Sequence, residues 1–112
     1  MSERSEITTP LILVLNQTGG MALRMNSGTI RLVGRTIKMH DKGTADILFF
    51  PRALVLARGG SLKPAQPTWI ETKIGKNGQE PKQRDFQLQV EALGHRYILA
   101  TSVQQGLDEA LR

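Results

Sequence analysis

Apolar and polar residues alternate along most of this chain, and only near its end does the spacing change. The densest apolar stretch runs from Gly43 to Gly60 and holds two β-type segments, Ala45–Phe50 and Ala53–Arg58, that meet at Pro51-Arg52. Leucine, β-branched and aromatic residues fill both, as strand cores require. Pro51 is a poor first residue for a tight hairpin turn, which needs a positive φ there, so it marks either a joint between two strands or a bend in one.

The same period places strands elsewhere. Met21–Asn26 alternates weakly, Asn26-Ser27-Gly28 reads as a turn, and Thr29–Val33 with Arg35–Met39 forms one strand bent at Gly34 or a pair. Leu11–Leu15 is wholly apolar. Thr9-Pro10 is able to open a helix there, but Gly19-Gly20 follows within about two turns, and a buried strand is the expectation. Gly59–Thr68 is a loop by composition, Trp69–Ile74 resumes alternation, and Lys76-Asn77-Gly78 supplies turn chemistry. Phe86, Leu88 and Val90 alternate with Gln87, Gln89 and Glu91, which predicts a strand paired antiparallel with Tyr97–Thr101 across a turn at Leu93-Gly94-His95. The period then switches. Ser102 followed by Gln105 fits a capping box, and Val103, Leu107 and Ala110-Leu111 fall on one helical stripe.

The fold class expected from these patterns is mainly β, α+β by count: a curved antiparallel sheet or partly open small barrel with one C-terminal capping helix. Residues 1–9 read as a flexible N-terminal segment and residues 10–112 as a single β-rich domain. Strands Ile47–Phe50 and Ala53–Leu56 are apolar on both faces. Either helices of the same chain or a second subunit must cover the extra face, and with one clear helix in view the expectation is a homo-oligomer.

Composition narrows the chemistry. Cysteine is absent, which removes disulfides, thiol nucleophiles and cysteine metal sites. The longest apolar run is too short to span a bilayer, and a cytoplasmic location is expected. The net charge is +5. Eight basic residues lie between Arg24 and Lys63 against the acids Asp41 and Asp46, so an anionic partner is one explanation and a solvated basic surface the other.

No catalytic signature stands out in the sequence. His40-Asp41 and His95 sit in turns, and the carboxylates Asp41, Asp46, Glu71 and Asp85 show no spacing that pairs them for acid–base work. No metal-ligand spacing and no cofactor motif is found. Arg31-Leu-Val-Gly-Arg35 has the R-x-x-x-R spacing of PilZ domains, which would put two guanidiniums on one face of an extended chain, but Asp41-Lys-Gly-Thr lacks that family's second motif.

Two longer stretches carry a broader likeness. Gly43–Ala57 resembles the glycine-led strand, polar corner and second strand of bacterial pleckstrin-homology-like (PH-like) domains. Phe86–Val90, Tyr97–Ser102 and Val103–Leu111 are similar to the last hairpin and helix of that superfold. The resemblance implies a non-enzymatic binding or adaptor module, self-associating, that recognises a protein or anionic partner through a basic sheet face. Arg24, Arg31, Arg35, Lys38, Arg52 and Arg58 would form that face, with Trp69 at its rim. A second copy or another protein is the expected partner, and nucleic acid and anionic lipid are the other classes such a face admits. The alternative function is nucleic-acid binding through the same residues; a small enzyme whose site sequence does not reveal stands third.

Overall fold

The computed structural model describes residues 3–25, 29–32, 35–38, 43–52, 54–55, 62–63, 66–75 and 78–112. A π-helical stretch, Arg4–Thr8, runs directly into helix α1, Thr9–Asn16. Strands β1 (Met21–Arg24), β2 (Thr29–Leu32), β3 (Arg35–Lys38), β4 (Ile47–Phe50), β5 (Leu54–Val55), β6 (Leu62–Lys63) and β7 (Thr68–Thr72) follow. Helix α2 (Pro81–Ala92), strand β8 (Arg96–Ala100) and helix α3 (Val103–Ala110) complete the order.

Four strands form the central sheet in the order β1-β4-β7-β8. β1 and β7 pair antiparallel with β4, whereas β8 runs parallel to β7 and is reached through α2. The sheet is therefore mixed and open. It is neither wholly antiparallel nor a barrel. β2–β3 and β5–β6 are separate two-stranded ribbons.

Register assigns the faces. Ile47, Ile70 and Ile98 lie side by side, as do Ala22, Phe49 and Thr68, and this face meets Leu11, Leu15 and Ala110 from the helices. The opposite face carries Trp69 and Tyr97, which pack with Phe86 and Val90 of α2. Helices thus cover both sides of the sheet, as crossover topology requires. This is a small α+β fold with three α-helices among the described residues.

Two expected strands are helices. Leu11–Leu15 lies in α1, with Pro10 in its first turn; Leu11 and Leu15, four apart, are buried while Leu13 is 61% exposed. Phe86–Val90 lies in α2, where Leu88 is 54% exposed. Pro81 opens that helix, and Gln83 Oε1 accepts from the Glu80 N–H at 2.9 Å. Its end is a Schellman turn: His95 N–H donates to Val90 O and Gly94 N–H to Glu91 O, with Gly94 at φ 85°. The turn at Leu93-Gly94-His95 is real, but it ends a helix and leads to a strand parallel to β7. The C-terminal helix stands as expected. Ser102 Oγ accepts from Gln105 N–H at 3.1 Å.

Thr29–Leu32 and Arg35–Lys38 pair antiparallel, the second of the two expected alternatives. Two further differences concern the segments between these elements. β6 lies within the segment expected to be a loop, and Ile7 and Thr8 are buried where a fraying terminus was expected. His40-Asp41 and the Lys76-Asn77 part of the predicted turn lie outside the described residues. Among the described residues, no helix is long and apolar enough to cross a membrane.

Candidate active site

β4 and β7 pair with Ile47 opposite Ile70. One position further along that register, Asp46 stands opposite Glu71. Two carboxylates 25 positions apart in sequence therefore meet at one end of the sheet, on the face that α2 covers. Beyond Glu71 the strand path continues, since Lys73 N–H donates to Ala100 O at 2.9 Å. Period-2 geometry then puts Lys73 on the same face as Glu71.

All three side chains sit away from bulk water. Glu71 is 1% and Lys73 6% exposed, and Asp46 is half-buried. Burial is the largest cause of a rise in the Glu71 pKa to about 9, helped by a hydrogen bond shared with Asp46 and by the Asp46 charge; Lys73 opposes the rise and Glu3 adds to it. In this arrangement Glu71 holds a proton at neutral pH.

Each carboxylate is fixed by neighbours. Asp46 Oδ2 accepts from both the N–H and the hydroxyl of Thr72, each at 2.9 Å. Glu71 Oε2 accepts from Gln83 Nε2 at 3.2 Å, while the Gln83 carbonyl caps α2. One short amide thereby ties the start of the helix to the buried acid. Glu71 Oε1 is buried and has no donor. Glu3 Oε1 accepts from Ile74 N–H at 3.4 Å, which anchors a third acid next to the end of β7.

A buried carboxyl held beside a second carboxylate, with one oxygen undonated, suits a hard cation in place of the shared proton. Among the described residues no cluster of three or more Asp, Glu or His side chains completes an all-protein cage. Two carboxylates with open positions match Mg²⁺ in particular, which keeps several waters and is held by one or two carboxylates together with substrate phosphate. Asp46 and Glu71 would hold the ion.

The residues predicted from sequence lie elsewhere. Arg24 ends β1 and donates from Nη2 to Thr9 Oγ1 at 2.6 Å. Arg52 is exposed, with its Cδ lying 2.9 Å from where a Gly19 Cβ would stand. Trp69 is half-buried and meets Phe86 edge-on, ring centres 5.0 Å apart. Arg31 lies on β2, and Arg35 and Lys38 on β3; Arg58 is outside the described residues. The hairpin register pairs Arg31 with Thr36 and Arg35 with Leu32. His95 is exposed at the end of α2.

Local spacing does not unite Asp46, Glu71, Lys73 and Gln83, because the strand pairing that brings them together is not written in it. One signal was present. A Glu and a Lys flank Thr72 just after the apolar Trp69-Ile70, and Asp46 precedes an equally apolar strand. Charged residues are almost never fully buried unless paired, and a buried carboxyl with a perturbed pKa marks a functional-site candidate.

No known family profile matches the chain, and no curated protein does. A solved structure of a VRR_NUC domain is similar: the match covers 99% of this chain and 96% of that one, with a TM-score of 0.61 and 16% identity. The likeness is one of fold. It overturns the PH-like expectation, whose barrel and hairpin-plus-helix ending the chain does not have. With it falls the self-associating, non-enzymatic adaptor. The buried Glu71 and Lys73 and the half-buried Asp46 occupy one end of the central sheet. On the two-sided apolar strand β4, Ile47 and Phe49 are buried against α1 and α3, while Leu48 is half-buried and Phe50 is 37% exposed on the other face.

Proposed function

We propose that the chain is a divalent-cation-dependent nuclease that hydrolyses phosphodiester bonds in nucleic acid. The convergence of Asp46 and Glu71 with Lys73 at the end of the sheet carries this conclusion, and the fold likeness supports it. A cation bound by the two carboxylates supplies positive charge where negative charge develops on the phosphoryl group.

The chain's own residues do the rest. Thr72 and Gln83 orient the two acids before substrate arrives, so no reorganisation is needed at the moment of reaction. Lys73, held off from water, presents its ammonium to a phosphate oxygen, and the low-dielectric setting strengthens that attraction. In the overall reaction a water oxygen bonds to phosphorus and one phosphorus–oxygen ester bond breaks. The departing oxygen gains a proton, and the water loses one. The basic set Arg24, Arg31, Arg35, Lys38, Arg52 and Arg58 supplies the sequence-independent attraction to phosphates that such an enzyme needs, in keeping with a net charge of +5.

The test is incubation of the purified chain with supercoiled plasmid and Mg²⁺ or Mn²⁺, with an EDTA control. Nicking or linearisation that EDTA abolishes is the expected result. Plasmid that stays intact under every cation, alongside intact single-stranded DNA and RNA, would overturn the proposal.

A further inference from the structure

Thr8 and Thr9 stand where the π-helical stretch passes into α1, a kind of helical turn that is rare and gathers at functional sites. The Thr8 and Thr72 hydroxyls meet at 2.6 Å, and Thr72 Oγ1 donates to Asp46 Oδ2. Thr9 Oγ1 accepts from Arg24 Nη2, also at 2.6 Å. Two adjacent hydroxyls therefore fix an acid and a guanidinium relative to each other. Strand pairing joins the same two residues from the other side. Arg24 pairs with Ile47, the residue after Asp46, and Met25 N–H donates to the Asp46 carbonyl at 2.7 Å. Antiparallel pairing then puts the Arg24 and Asp46 Cα atoms about 6 Å apart.

Arg24 shares the α1 face of the sheet with Ala22 and Ile47, and Thr72 shares it with Ile70. Lys73 lies on the α2 face. The carboxylates thus have one cation on each side of the sheet end. Arg24 is half-buried, and the Thr9 bond uses one of the several N–H groups that a guanidinium carries. Among the described residues no carboxylate forms an ion pair with it. A guanidinium held at one nitrogen is a preorganised fork, and phosphate oxygens are the acceptors that such a fork fits best.

We propose that Arg24 is a phosphate clamp: anchored by Thr9, it grips one backbone phosphate of a nucleic acid and so sets a neighbouring phosphodiester at Asp46, Glu71 and Lys73. The clamp rests on the nuclease proposal for what it serves, but its binding is measured separately from cleavage. Thr9 is a positioning residue in this arrangement, since it acts through Arg24 and not on the phosphate.

The experiment is fluorescence anisotropy in EDTA, across a salt series, with a labelled DNA duplex, the DNA single strand and an RNA of the same sequence. Wild type is compared with R24Q, R24K and T9V, and with R112Q, which loses the same charge at an exposed residue paired with Glu109. On each nucleic acid that the wild type binds, R24Q is expected to weaken binding about tenfold and to lower the slope of log affinity against log salt by about 1. R24K and T9V keep the charge, so they should keep the slope and lose affinity only a few-fold. R112Q should change neither. Melting curves check that each variant folds. A residue that merely braces α1 would move the melting temperature and not the salt slope. An unchanged slope in R24Q would therefore overturn the clamp, as would an equal fall in R112Q or a wild type that binds none of the three probes. Cation-dependent cutting together with an unchanged R24Q slope leaves the nuclease standing and removes the clamp. A lowered R24Q slope in a chain that cuts nothing does the reverse.

Discussion

Thr72 holds Asp46 by two bonds to a single oxygen, one from its N–H and one from its hydroxyl, both at 2.9 Å. A hydroxyl has one proton to give, so the contact between Thr72 Oγ1 and Thr8 Oγ1 at 2.6 Å is donated by Thr8. The chain from Thr8 through Thr72 to Asp46 links the N-terminal helix to the carboxylate pair.

Thr72→Val keeps the volume and removes that link. It leaves the Thr8 hydroxyl without its acceptor and Asp46 with one bond fewer, at a cost of about 1–3 kcal/mol. A lower melting temperature and slower cleavage are expected, and Thr72→Ser should recover most of both. Melting curves and initial rates for the three proteins check this.

Glu71 sets a pH dependence of stability. Its folded pKa of about 9 lies above the ordinary value of 4.5, chiefly because it is buried. The native state then binds more protons than the unfolded state between these values, so stability falls as pH rises from about 5 to 9 and levels off beyond. Glu71→Gln should flatten that slope. Added Mg²⁺ or Mn²⁺ should raise the melting temperature of the wild type most at the alkaline end and leave that of Glu71→Gln unmoved. A pH series of melting curves, with and without the ion, reads both effects.

Gln83 offers a separation of structure from chemistry. Gln83→Glu keeps an oxygen to accept the Glu80 N–H but loses the amide that donates to Glu71. The start of α2 should survive, as circular dichroism will show, while cleavage falls about 10–100-fold through weaker ion binding. An equal fall in helicity and rate would assign Gln83 to the fold alone.

How much of this was legible in the sequence varies with the reach of each signal. α3 announced itself because Ser102 and Gln105 are neighbours in both sequence and space. α2 did not, because Phe86 and Val90 share a face in either period, two steps of 2 or one step of about 4. Leu88 was the discriminating residue, and its exposure shows that the helical period applies. The Glu80-Pro81-x-Gln83 start was present and outweighed by that alternation. Misreading α1 and α2 as strands then left β4 with an apolar face and nothing to cover it, which produced the expectation of an oligomer. The carboxylate pair was illegible for a different reason: Asp46 and Glu71 are joined only by β4–β7 register, which a single sequence does not state.

Gly106 makes the same point about packing. Propensity alone marks it as a weakness in α3, worth about 1 kcal/mol against Ala. In the fold an added Cβ would lie 2.8 Å from Leu11 Cδ2 and 3.0 Å from Ala100 Cβ, so the glycine lets α3 close on α1 and β8. Gly106→Ala should therefore destabilise, by about 1–3 kcal/mol as overpacking does, despite the gain in propensity. Chemical denaturation midpoints test the sign.

The central claim is that Asp46, Glu71 and Lys73 form one cation-dependent cutting site. Its most direct measurement is the initial rate of plasmid nicking by identically purified wild type, Lys73→Ala and Glu71→Gln at saturating Mn²⁺, with folding verified for each. Rates at least about a hundredfold lower in both variants are predicted, as for loss of a group that stabilises transition-state charge. Rates equal to wild type in both would show that whatever nicks the plasmid is not this site.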